Sequence, residues 1–214
     1  MSLRALAKVK NFNDLVMYLN FSPSLGYVEK LVKDCRSAVD LGFGEVTWLH
    51  LVPFAGENVP NEVWEATHRQ TGGKMRASYA LGDIMSPRLT PGCADAVLCF
   101  DVVEHFPKVE SRALLEFIQS LARRVVVITL PNGFLEELSE DGNPHHLCGW
   151  EAAEFRAEGF EVHGIMGLKS LRGGFAKILR KPRLFWWLIS KLSEPYVWDR
   201  PDKAFGLLAV KKKK

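Results

Sequence analysis

The sequence predicts an α/β protein built on a mostly parallel sheet with helices on both faces. Three observations predict it. Short apolar, β-compatible runs alternate with helical patterns, the rhythm of parallel strands joined by crossover helices. Asp95-Ala96-Val97-Leu98-Cys99-Phe100 and Val125-Val126-Val127-Ile128-Thr129-Leu130 are nearly continuous apolar runs, as strands buried on both faces require. Ser37-Ala38-Val39 runs into Asp40-Leu41-Gly42-Phe43-Gly44. A strand ending in such a glycine loop lets a ligand approach backbone that a Cβ would shield.

Residues 13–20 and 27–34 read as short helices separated by the turn-forming Ser22-Pro23-Ser24. The first strand covers Ser37 to Leu41. A second strand is placed at Asn58 to Val63, weakened by Pro60 and Asn61, and a helix from Trp64 to Gln70 stops at Gly72-Gly73. Ala77 to Gly82 reads as the third strand and Asp95 to Phe100 as the fourth. Val109, Ala113, Leu114, Phe117, Ile118, Leu121 and Ala122 recur at helical spacing. Val125 to Leu130 is the fifth strand, ended by Pro131-Asn132-Gly133. Trp150 to Glu158 is a helix closed by Gly159, and Phe160 to Ile165 is a sixth strand. Residues 166–202 read as an irregular, basic and aromatic insert before the last strand, Phe205 to Val210.

Composition narrows the function classes. The chain has 214 residues, 47% hydrophobic and 25% charged, within the range of ordinary globular proteins. Four of its 28 basic residues lie at 211–214, leaving 24 against 25 acidic. Near neutrality argues against a nucleic-acid partner, and the lysine tail is expected to be solvated and disordered. The four cysteines show neither a C-x-x-C pair nor zinc spacing. Cys35 and Cys99 are expected to be buried thiols, in a cytoplasmic setting. Arg4 and Lys8 break the opening apolar stretch, so no signal peptide is expected.

Ligands of open α/β sheets sit beyond the carboxyl ends of the strands. The residues there are Asp40, Gly42 and Gly44 after strand one, Glu62 near strand two, Asp83 after strand three, Asp101 to His105 after strand four and Pro131 to Gly133 after strand five. Four of these five positions carry a carboxylate, and no lysine or arginine offsets them within the loops. That suits a cofactor with hydroxyls, an amine and a positive centre better than a pyrophosphate. The third glycine of a dinucleotide loop is also missing, which disfavours a nicotinamide dehydrogenase. Each residue has a plainer use as well. Asp40 and the glycines would serve a tight turn, Asp83 a turn cap, and Glu62, Glu104 and His105 helix starts.

Together these residues resemble the class I S-adenosylmethionine-dependent methyltransferases, in the broad type 11 and type 23 group with D-x-G-x-G after strand one and E-H after strand four. The likeness runs from Cys35 to Gly167 and returns at the last strand. It is strongest from Asp95 to Gly133 and includes His146-Leu147-Cys148-Gly149-Trp150, matching H-x-x-G-W. The resemblance implies a Rossmann-like, doubly wound sheet of seven strands in a single domain, 1–214. Within it, 1–34 are N-terminal helices, 35–165 the cofactor-binding core, 166–202 an insert acting as acceptor lid, 203–210 the last strand and 211–214 the tail. It further implies that Asp40, Gly42 and Gly44 line the methionine part of S-adenosylmethionine. Glu62 would take the ribose hydroxyls and Asp83 the adenine amine, while Asp101, Glu104 and His105 would face the methyl group and the acceptor.

The activity so implied is methyl transfer to a small-molecule or lipid-like acceptor at oxygen, with Glu104 and His105 catalytic. The alternative is a non-catalytic scaffold of the same fold, favoured by Val46 and the degraded second strand. The default expectation is a site without metal. Yet Asp101-x-x-Glu104-His105, with His145 or His146 about forty residues on, resembles the E-x-x-E-H…H set of metal-dependent O-methyltransferases of quinone biosynthesis and small-RNA 3′-end modification. That likeness implies a divalent ion on Asp101, Glu104, His105 and His146. The insert carries Phe185, Trp186, Trp187, Tyr196 and Trp198 among basic residues. Leu184 to Ile189 is apolar around the helix and expected to be buried, on the sheet or in a homodimer. Shallow membrane association through 183–198 is a further expectation.

Overall fold

The chain reaches its first strand, β1 (Ala38–Leu41), from a helix, α1, over residues 24–32. The structure is a computed structural model and describes residues 19, 24–42, 61–65, 77–81, 89–136, 138 and 144–213, with only the backbone for 61–65, 77–81 and Phe175. The expected helix at 13–20 falls almost wholly outside them. Among the described residues α1 includes Ser24, which the sequence assigns to a turn, and buries Leu25, Val28 and Val32 at helical spacing. The described chain falls into two compact units. One takes the described part of Met1–Phe100 with Leu114–Val127 and Lys212–Lys213; the other takes that of Asp101–Ala113 and Ile128–Lys211.

In the first unit β1 pairs in parallel with β2 (Asn61–Glu65) and with β4 (Ala94–Phe100), and β2 with β3 (Ala77–Leu81). With β5 (Ala122–Pro131), which continues into the second unit, the hydrogen-bonded order is β3-β2-β1-β4-β5. β1 and β4 are fully buried, as their apolar sequences demand. Strand order therefore reverses between β1 and β4, the place where open α/β sheets take their ligands. β2 begins three residues later and ends two later than its sequence suggests, so Trp64 and Glu65 extend a strand instead of opening a helix. Pro60 lies outside the described residues, and Trp64 sits between Leu41 and Ala80 in register.

Asp95 ties the entry of β1 to that of β4. Its carboxylate accepts from the Arg36 backbone N–H at 2.8 Å and from Arg123 Nε at 2.9 Å. Burial works against ionising it, but these donors outweigh burial and hold the carboxyl below its ordinary range. Cys35 and Cys99 are buried and outside any disulfide, and burial pushes the Cys35 thiol up.

α2 (Lys108–Leu121) buries Ser111, Leu114, Leu115, Ile118 and Leu121. Val109, which the sequence pattern includes in this stripe, is 81% exposed. Ala122 belongs to β5, which begins directly after the helix.

In the second unit the order is β5-β7-β6, with β6 (Glu161–Leu168) antiparallel to β7 (Ala204–Lys212), so the α/β sheet is mixed. α3 (Ala152–Ala157) opens with a capping box between Glu151 and Glu154. Residues 166–202 are more regular than their composition suggests. They form α4 (Arg183–Leu192), α5 (Glu194–Trp198) and three 3-10 turns, and α3, α4 and α5 all contact β6. Leu184, Phe185 and Leu188 are nevertheless exposed, and Trp186, Trp187 and Ile189 only half-buried, so the expected burial of Leu184 to Ile189 is not met. The expected disordered tail also differs. Lys211 and Lys212 lie in β7, and Lys211 Nζ donates to the Glu158 carbonyl at 2.6 Å.

Candidate active site

The carboxyl end of β1 is closed by Gly42, whose φ of +71° belongs to the left-handed region that side chains disfavour. Asp40, two residues earlier, is 1% exposed and paired in register with Leu98. Gly44 and Asp83 lie outside the described residues. Glu62 does not reach a strand end. It is the second residue of β2, opposite Val39, and Glu65 is the residue at the carboxyl end. Glu65 is thus the acidic residue that sequence reasoning misses. Its signal is the strand-like Val63-Trp64 directly ahead of a carboxylate.

Past β4 the chain turns sharply. Asp101 is exposed with φ at +52°, a conformation an aspartate tolerates better than most residues. Its backbone N–H donates to the Thr129 carbonyl at 2.8 Å. Strain at a strand end marks a position that the surrounding structure holds for a purpose. The bend launches a 3-10 turn, Val103–His105.

That turn is built into a frame by residues far along the chain. The Glu104 carbonyl accepts from the Leu147 and Cys148 backbone N–H groups at 2.8 and 3.1 Å. The Val103 carbonyl accepts from Ser111 Oγ at 2.7 Å, and Ser111 Oγ in turn accepts from Trp150 Nε1 at 2.8 Å. Ser111 and Trp150 are fully buried, so every donor in this chain needs its partner. Cys148 is buried too, and burial pushes its thiol up, which makes it a packing group rather than a nucleophile. Gly149 has no room for a side chain, since a Cβ there would meet Phe134 N at 2.2 Å. The Gly149 carbonyl accepts from Lys108 Nζ, which stands 3.6 Å from the centre of the Trp150 ring. H-x-x-G-W is therefore the clamp that seats the loop over the turn.

The clamp brings three histidines together. Ring centroids of His105 and His145 are 4.4 Å apart, those of His105 and His146 5.1 Å, and one ring nitrogen from each of the three falls within 4.8 Å of the others. His146, buried, directs Nδ1 at the Leu135 carbonyl at 2.9 Å. Donation there fixes the tautomer and leaves Nε2 with a lone pair, the second-sphere arrangement of metal-binding histidines. His105 is half-buried, with Nδ1 2.7 Å from the His145 carbonyl and Nε2 3.1 Å from the Asp101 carbonyl. Each ring nitrogen thus faces a carbonyl oxygen, and a neutral ring donates to only one of the two.

Of the four residues expected to share an ion, the structure groups His105 and His146. It adds His145 and leaves the carboxylates of Asp101 and Glu104 out of the cluster. Asp101 is exposed and Glu104 2% exposed, so the two carboxylates occupy opposite environments.

No protein-family model matches the sequence, and no curated protein matches it. Solved structures do match its fold. The methyltransferase domain of the bacterial CtHen1 is 16% identical with a TM-score of 0.51, covering 91% of this chain and all of that one. A S-adenosylmethionine-dependent methyltransferase from Archaeoglobus fulgidus is 16% identical with a TM-score of 0.53, covering 95% of this chain and all of that one. The small RNA methyltransferase HEN1 is 14% identical with a TM-score of 0.56; the likeness covers 90% of this chain and 25% of HEN1. The chain has the fold of the class I S-adenosylmethionine-dependent methyltransferases.

Proposed function

We propose that this protein is a S-adenosylmethionine-dependent methyltransferase that methylates a small or lipid-like acceptor at oxygen. The observation that carries the cofactor is Gly42, turned to positive φ at the end of β1 where strand order reverses. Backbone without a Cβ at that point fits a ligand lying close over the strand ends. Asp40 and Gly42 line the methionine end on this reading, with Gly44 beyond them. Glu65, in place of Glu62, takes the ribose hydroxyls, and Asp83 the adenine amine.

When bound, the cofactor supplies a methyl group already activated on a sulfonium. The chain's share is to hold the acceptor oxygen in line with it and to take the acceptor's proton. His105 is the base in this scheme. Asp101 aligns it through the carbonyl contact at 3.1 Å. Glu104, buried, supports the turn through its backbone carbonyl, which accepts from the Leu147 and Cys148 N–H groups.

The test is calorimetric titration with S-adenosylhomocysteine. Wild type binds, and Gly42→Arg, checked for retained fold by circular dichroism, does not. An absence of binding to the wild type sinks the proposal. Turnover on an acceptor panel then separates enzyme from non-catalytic scaffold. Since one fold neighbour is a small RNA methyltransferase, a short RNA belongs on that panel beside hydroxylated small molecules.

A second reading has its own observation, the three clustered histidines. His146 with its fixed tautomer, His105 and His145 form a nitrogen-rich donor set that fits a divalent transition ion better than magnesium. Such an ion would be held by these imidazoles, with Asp101 and Glu104 as nearby carboxylates of the same segment, and would lower the pKa of the acceptor hydroxyl.

A further inference from the structure

Helix α4 is inverted. Its buried position is a serine: Ser190 Oγ donates to the Met166 carbonyl at 3.0 Å and accepts from Arg172 Nε at 3.0 Å. Leu184, Leu188 and Leu192 follow one another at single turns on the outer side, 71%, 48% and 77% exposed, with Phe185 beside them at 53%. Ordinary surface helices place leucine inside and polar residues outside. A contiguous apolar stripe facing outward marks a surface that meets something other than water.

Charge identifies the occupant. Residues 166–193 contain seven lysines and arginines and no acidic residue, in a chain with 28 basic and 25 acidic residues overall. Lys177, Arg180, Lys181 and Arg183 are exposed and lead directly into the stripe. The Arg180 guanidinium stands 4.8 Å from the Trp186 ring centre. Leucine and aromatic side chains bordered by cations suit the interface of an anionic bilayer, where the apolar face enters the acyl boundary and the cations meet phosphate. A second copy would instead set like charges against each other. α4 is about 15 Å long, and no described helix is long and apolar enough to cross a membrane, so the helix would lie in the interface plane.

We propose that α4 and the basic segment ahead of it dock this protein on anionic phospholipid membranes, independently of whether it transfers methyl groups.

The test is co-sedimentation of the full chain with phosphatidylcholine vesicles and with vesicles that also contain phosphatidylglycerol. Expected is at least roughly tenfold stronger partition onto the anionic vesicles, weakening as salt rises, with a blue shift of tryptophan fluorescence from Trp186 and Trp187. Leu184→Asp with Leu188→Asp should abolish partition, and Lys181→Glu with Arg183→Glu should remove the anionic preference. These side chains are exposed, so the variants fold, which circular dichroism verifies; Val109→Asp, on another surface, should partition like wild type. Equal or absent partition on both vesicles overturns the proposal, as does a double-aspartate variant that binds like wild type. So does a wild-type dimer in light scattering that the same variant dissociates, since the stripe would then be a self-interface.

Discussion

Ser111→Ala tests whether the turn carrying Glu104 and His105 is held by the hydrogen-bonded chain from Trp150 through Ser111 to the Val103 carbonyl. The substitution removes two hydrogen bonds, of 2.8 and 2.7 Å, at residues that are fully buried. It leaves the Trp150 indole N–H without its acceptor. A buried donor left unmet costs about 1–3 kcal/mol, and each lost bond contributes about 1 kcal/mol. Alanine returns about 0.5 kcal/mol through its better helix propensity. The net loss is about 2–3 kcal/mol, or about 4–12 °C in Tm for a chain of this size. Urea unfolding followed by circular dichroism measures it, with Val109→Ala as control because Val109 is 81% exposed. The control should stay within about 0.5 kcal/mol of wild type. A Ser111→Ala variant equally close to wild type would refute the reasoning, because the buried chain would then carry no energy.

Three further outcomes follow from the same structure. Gly149→Ala should destabilise by about 1–3 kcal/mol or more, because the new Cβ meets backbone atoms of Phe134 and Gly133 at 2.2 to 2.5 Å; an unchanged melting curve counts against the clamp. Asp95 has its folded-state pKa lowered, burial being outweighed by the Arg36 N–H and Arg123. The stability it contributes is complete above the unfolded carboxylate value of about 3.9 and is lost as pH falls through the lower folded value. Asp95→Asn should therefore lower stability near neutrality and flatten its fall in that acid window; a parallel pH profile contradicts the assignment. Finally, manganese or zinc should raise the wild-type Tm, EDTA should reverse the rise, and His146→Ala should abolish it. A wild type indifferent to both metals leaves the histidines as hydrogen-bonding groups alone.

Patterns that are local in sequence are legible in it. The apolar runs from Asp95 to Phe100 and from Val125 to Leu130 could only be buried strands, and both are. Gly42 announces its positive φ because glycine alone tolerates it freely. The second strand runs Asn61–Glu65 and not Asn58 to Val63, in a register set by its pairing with β1 and β3. That register puts Glu65, and not Glu62, at the carboxyl end of β2. Helix α4 was misread on burial, because an apolar hexapeptide does not say which of its sides meets β6.

By itself, then, the sequence determined the strand–helix alternation, the glycine that ends β1 and the candidate residues after β4. These depend on side-chain period and backbone freedom, which neighbouring residues encode. Only the tertiary structure decided that His105, His145 and His146 share a cluster while Asp101 and Glu104 stand outside it. Only there does Ser111 link Trp150 to the Val103 carbonyl. Residues about forty positions apart meet only through the folded backbone, and their spacing in the sequence carries no measure of that distance.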